Sequence, residues 1–154
     1  MTEVEFHTGV ADPVGFACRL LQKAVRQGVR VQVTAPLDVL ARLDLSLWTA
    51  DERDFVPHVR VPSGAAAPGE PGVTAAVAAR TPIWLAAVVQ TQNAPRVLVN
   101  VGAELPSNTQ ALERVIEIVS AEPGEAARGR ERWRVYKSLG MALKHHPATT
   151  ARDG

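Results

Sequence analysis

A single cysteine, Cys18, stands in 154 residues, so no internal disulfide can form. Its place in an apolar helical pattern reads as a buried thiol in a reducing compartment. No stretch approaches the roughly 18 apolar residues that a membrane span needs, and the N-terminus MTEVEFHTGV is acidic where a secretory leader would be basic. The expected location is the cytoplasm. Excess charge is missing too: 17 basic against 16 acidic residues leave a net of +1. No whole-molecule field draws the chain to nucleic acid, and any recognition through cations must be local. Neither G-x-G-x-x-G nor G-x-x-x-x-G-K-[ST] occurs, which removes the usual backbone cradles for phosphate. His7, His58, His145 and His146 do not fall at metal-ligand spacings with cysteines or carboxylates, and KHHP near the C-terminus reads as solvated sequence; no metal and no cofactor is expected. Ser63 and Ser107 lack a G-x-S-x-G context, Cys18 has no histidine near it in sequence, and Asp51, Glu52 and Asp54 read as a helix-end loop. Nothing here asks for a catalytic role.

What is present is an alternation of strands and helices in a chain long enough for one domain. Val4 to His7 alternates as a strand, and Asp12 with Pro13 then opens a helix that Gly28 stops. A β-branched run from Val29 is followed by a helix with Leu37, Leu40, Leu43 and Leu47 on one face. Residues 59–81, rich in Gly, Pro and Ala, read as a long surface loop with a short strand at its end. PIWLAAVV and RVLVNVG are apolar runs of strand length, expected to pair with each other. The spacing of Leu112, Val115, Ile116 and Val119 after Ser107 or Asn108 predicts another helix. A last helix is expected from about Gly129 to about His145, with 147–154 a disordered tail. The fold class is therefore α/β: one domain with a mostly parallel sheet and helices on both faces, Rossmann-like without the dinucleotide motif.

The last predicted helix carries GRERWRVYKSLG. At about 100° per residue, Val135, Tyr136, Leu139, Ala142 and Leu143 share one arc. Arg130, Trp133, Arg134, Lys137, Met141 and Lys144 share the opposite one. An indole placed outward among cations has two readings. Arginine stems can simply cover it at the edge of a core. Alternatively, the indole is an apolar wall beside forked donors for a carboxylate or phosphate, suited to an acidic peptide with an apolar anchor or to a single nucleic-acid strand. On the same arcs, Leu139→Ala is expected to cost about 2–5 kcal/mol. In FVPH, Phe55 either tucks into the core or faces a partner.

Two stretches, SLWTADERDFVPHVRVPSG at 46–64 and ERWRVYKSLGMAL at 131–143, resemble the signature regions of the chi subunit of bacterial DNA polymerase III holoenzyme, and the order of elements is similar from end to end. The resemblance implies a non-catalytic accessory subunit in DNA replication. It would pair with the psi subunit of the clamp-loader complex and bind the acidic, Phe-ending C-terminal tail of single-stranded DNA-binding protein. Position by position, it implies tail binding by Trp48, Arg130, Trp133 and Arg134, with Arg128 and Lys137 as further contacts. Ala126 departs from a basic residue often present in that helix, and Arg128 can replace it. Phe55 would face psi. The rival class is a direct single-stranded nucleic-acid binder, and a degenerate nucleotide-binding enzyme is a third.

Overall fold

The computed structural model describes residues 2–49, 56–61, 75–91, 94–107 and 109–148. In chain order these form β1 (Glu3–Val10), α1 (Pro13–Arg26), β2 (Val31–Thr34), α2 (Leu37–Trp48), β3 (His58–Arg60), α3 (Ala75–Arg80), β4 (Ile83–Ala86), β5 (Val97–Asn100), a 3-10 turn at Thr109–Ala111, β6 (Arg114–Ser120), α4 (Pro123–Ser138) and β7 (Ala142–Pro147). The seven strands make one sheet in the order β3-β4-β2-β5-β6-β1-β7, and every pairing is parallel. This is the α/β class expected from the alternation of elements. Among the described residues no helix is long and apolar enough to cross a membrane.

Parallel strands need crossovers, and the crossovers cover both faces. On one face α1 and α2 press Ala17, Leu21, Leu40, Leu43 and Leu47 onto Val31, Val33, Ile83, Leu85, Val99, Ile116 and Ile118. On the other, α4 brings Tyr136 onto Val4, Phe6, Leu98, Val115 and Val119. Successive residues of the central strands face opposite sides of the sheet, and both sides are covered at β2 and β4, which are buried at every position. Local chemistry sets the ends of α1 as expected. The Asp12 carboxylate accepts from the Gly15 N–H at 3.1 Å, Pro13 opens the first turn, and Gly28 takes a φ of 71° that a side chain would resist.

Several expectations give way to the tertiary structure. The stretch read as a helix from Ser107 is the 3-10 turn followed by β6: Val115, Ile116, Val119 and Leu112 share a helical arc on paper, but β6 is buried on both faces. A doubly covered strand mimics a helix period because no polar face interrupts it. β4 and β5 do not pair with each other; β2 lies between them and bonds to both. Within 59–81, Val59 and Arg60 belong to an edge strand against β4, and the segment ends in the helix α3 where a strand was expected.

Finally, α4 stops at Ser138. Leu139 caps it with its N–H on the carbonyls of Val135 and Tyr136, and Gly140 takes a φ of 76°, so the chain turns into β7. Pro147 closes that strand, and the rest of the expected tail beyond Ala148 lies outside the described residues. Leu139, placed on the core arc by helical angle, is 60% exposed. Leu139→Ala is accordingly expected to change stability by no more than about 0.5 kcal/mol in urea denaturation.

Candidate functional site

Helix α4 starts on a well-made cap: the Glu122 carboxylate accepts from the N–H groups of Gly124 and Glu125 at 3.0 and 2.9 Å, with Pro123 in the first turn. The residues it turns to the sheet are Gly129, Arg132 and Tyr136, all buried, with Trp133 half-buried beside them. Gly129 sets the approach. A Cβ there would stand 2.7 Å from Val119 Cγ1 and 2.9 Å from Cγ2, so the absent side chain lets helix and sheet close up. Gly129→Ala should push the helix outward and lower stability by about 1–3 kcal/mol, measured by thermal or urea unfolding.

Arg132, one of the cations around the indole, points inward. Its Nε donates to Glu117 at 3.0 Å, and Glu117 also accepts from Tyr136 Oη at 2.8 Å and Asn100 Nδ2 at 3.0 Å. Burial pushes the Glu117 carboxyl upward, while Arg132 and the hydrogen bonds from Asn100 and Tyr136 work against it. Burial and the nearby carboxylate both push the Tyr136 phenol up, so it stays a donor. This buried cluster ties α4 to β5 and β6 in one register.

Trp133 lies between the two alternatives drawn from sequence, neither fully outward nor a core residue. Its ring meets Phe6 edge-on at 5.1 Å between centroids and His145 of β7 at 5.9 Å. Beside it opens a depression of about 600 Å³ whose walls include Phe6, Val119, Ala126, Gly129, Trp133 and His145, with Arg130 on its rim. Arg130 is exposed and makes no hydrogen bond or ion pair among the described residues. Arg134 and Arg128 are also exposed but engaged, with Glu131 at 3.1 Å and with Glu125 respectively. Lys137 is exposed in the last turn. An apolar slot with one uncommitted guanidinium at its mouth can hold an apolar group and take a carboxylate or phosphate in forked hydrogen bonds.

Helical angles did not point to Phe6 or His145. His145 faces the pocket because KHHP is a strand: alternation sends His145 to the α4 face, where Thr8 Oγ1 lies 2.7 Å from its Nε2, and His146 to the other. The sequence offered Gly140 as a helix stop, but ALKHHP shows no alternation of apolar and polar residues by which a strand could be read. Cys18 is half-buried, and burial together with Asp12 pushes its thiol up, away from the reactive thiolate.

Trp48 is not brought to this pocket. It ends α2, 61% exposed, with its ring 5.2 Å from that of His58 on β3. α2 and α4 cover opposite faces, and four strands separate β3 from β1, roughly 24 Å at the usual strand spacing. His58 is fixed by acceptors on both ring nitrogens, Val56 O and Asp44 Oδ1, each at 2.7 Å. Leu45, one turn before Trp48, is 64% exposed, so an apolar surface continues along the helix. Phe55 lies outside the described residues.

Two comparisons bear on what these two surfaces belong to. The sequence model of the family described as DNA polymerase III chi subunit, HolC, matches residues 1–144. A protein of Pseudomonas aeruginosa (strain PAO1) named DNA polymerase III subunit chi is 30% identical over 156 aligned positions, covering 95% of this chain and 96% of that protein. With the family model matching residues 1–144, the chain belongs to the DNA polymerase III chi subunit family, that of accessory subunits of the replicative polymerase.

Proposed function

We propose that the Arg130–Trp133 pocket receives the acidic C-terminal tail of single-stranded DNA-binding protein, and that the α2 edge around Trp48 and the FVPH segment meets the psi subunit, linking the clamp loader to the coated template strand. The observation that carries the first half is the apolar slot with an uncommitted guanidinium on its rim. A terminal apolar side chain inserts beside Trp133 and Phe6, its carboxylate is held by Arg130, and upstream aspartates feel Arg134, Arg128 and Lys137. The second half rests on the exposed Leu45 and Trp48, a neighbouring apolar pair on one helix face of the kind that marks protein interfaces.

The test is a titration with a tail peptide bearing a free or an amidated C-terminus. The free form is expected to bind with a Kd on the order of micromolar, weakening as salt rises, and amidation should weaken it by about tenfold or more. Equal binding of both forms would remove the carboxylate from the proposal. Trp48→Ala should leave peptide affinity unchanged, since it lies on the far face, while Trp48→Asp should abolish co-purification with psi. The reverse pattern would return Trp48 to the tail site.

Direct single-strand binding draws on the same arginines and indole. A long basic groove would favour it, but two of the arginines around this pocket are already engaged by glutamates. Tight binding of a fluorescent oligonucleotide with no peptide binding would decide for that reading.

A further inference from the structure

Three possible metal ligands meet on the face of the sheet opposite the pocket. β1 and β7 pair in parallel with His7 beside His146, and their imidazoles stack with centroids 4.9 Å apart and planes within 19°. Glu5 stands two residues before His7 and so on the same face, with its Oε2 3.8 Å from His7 Nε2. One ligand atom from each of Glu5, His7 and His146 lies within 4.8 Å of the others. We propose that these three side chains form a binding site for a divalent late transition-metal ion, with Zn²⁺ as the best match.

Two imidazoles and one carboxylate select zinc, nickel or copper over magnesium or calcium, which prefer oxygen alone. A tetrahedral zinc ion spaces its ligand atoms about 3.3 Å apart, so small rotations about the side-chain bonds close the triangle. The surroundings limit how far these side chains can stray from that geometry. Phe16 packs 5.1 Å from the His7 ring, restricting where it can turn. Arg114 holds the other Glu5 oxygen at 2.7 Å, as outer partners of metal-bound carboxylates do. His146 is exposed, leaving the remaining coordination position open to water or a ligand from outside. Arg114 is the opposing charge: it competes with the ion for Glu5, and the site is therefore expected to be of modest affinity.

The histidine spacings in the sequence did not suggest this site, because its ligands come from the first and last strands of the chain. Only the parallel register sets them side by side.

The test is isothermal titration of ZnCl₂ into the untagged full chain in a non-coordinating buffer, with the histidine ring signals followed by NMR. One saturable site is expected, with His7 and His146 as the signals that shift. His146→Ala and His7→Ala should each weaken binding by about tenfold or more, with circular dichroism unchanged for the exposed His146 variant. Cys18→Ser should have no effect on affinity. Absence of saturable binding, an affinity unchanged from the parent in either histidine variant, or loss of binding in Cys18→Ser would each overturn the assignment.

Discussion

Replacing Glu117 with alanine is expected to destabilise the fold by about 3–5 kcal/mol, seen as a lowered urea midpoint with little change in the slope of unfolding. The side chain is fully buried, and three donors converge on it, from Arg132, Tyr136 and Asn100. Alanine would leave a guanidinium only 7% exposed without its counter-charge, together with an orphaned phenol and amide. Removing one partner of such a pair is far more costly than removing both. The double replacement Glu117→Leu with Arg132→Met should thus recover most of the loss. Arg132 Nη2 already lacks a hydrogen-bond partner among the described residues, so the native pair is not fully satisfied to begin with. A single variant within about 1 kcal/mol of the parent would show that the cluster does not hold α4 in place. Because Gly129, Arg130 and Trp133 ride on the same helix, peptide affinity in these variants should fall only where unfolding is measurable.

The second large effect concerns binding. Trp133→Ala is expected to weaken tail-peptide affinity by at least about 2 kcal/mol, about thirtyfold, because it removes one wall of the slot. Since that ring also packs against Phe6, the same change should cost about 1–2 kcal/mol of stability, and binding must be measured well below the unfolding transition. Arg130→Ala is the cleaner variant. The side chain is exposed and makes no hydrogen bond or ion pair among the described residues, so a comparable loss of affinity should come with unchanged stability. Retained peptide binding in both variants would remove them from the site. A loss in Trp133→Ala alone would mean that the slot, without a carboxylate clamp, supplies the recognition.

Several features were open to reading in the chain itself because their causes lie within a few residues. Asp12, Pro13 and Gly28 bound α1 through a side-chain cap, a fixed φ and a left-handed turn, and β2 follows from a β-branched run. The alternation of such elements implied a parallel sheet with helices on both faces. Arg130 and Trp133, both within GRERWRVYKSLG, do meet at one pocket.

What tertiary structure alone decided is which faces are covered and which distant strands lie side by side. β6 is a strand because helices bury both its sides, a circumstance that erases the polar rows by which strand and helix are told apart. Arg132 turns inward because Glu117 waits on the sheet, while Arg130 and Arg134, two positions to either side, stay in water. Trp48 and Trp133 share a chemistry but occupy opposite faces, and His7 meets His146 only through the register of the first and last strands. Local backbone preferences act over one turn or one cap, whereas burial and strand pairing are settled by residues far away in the chain.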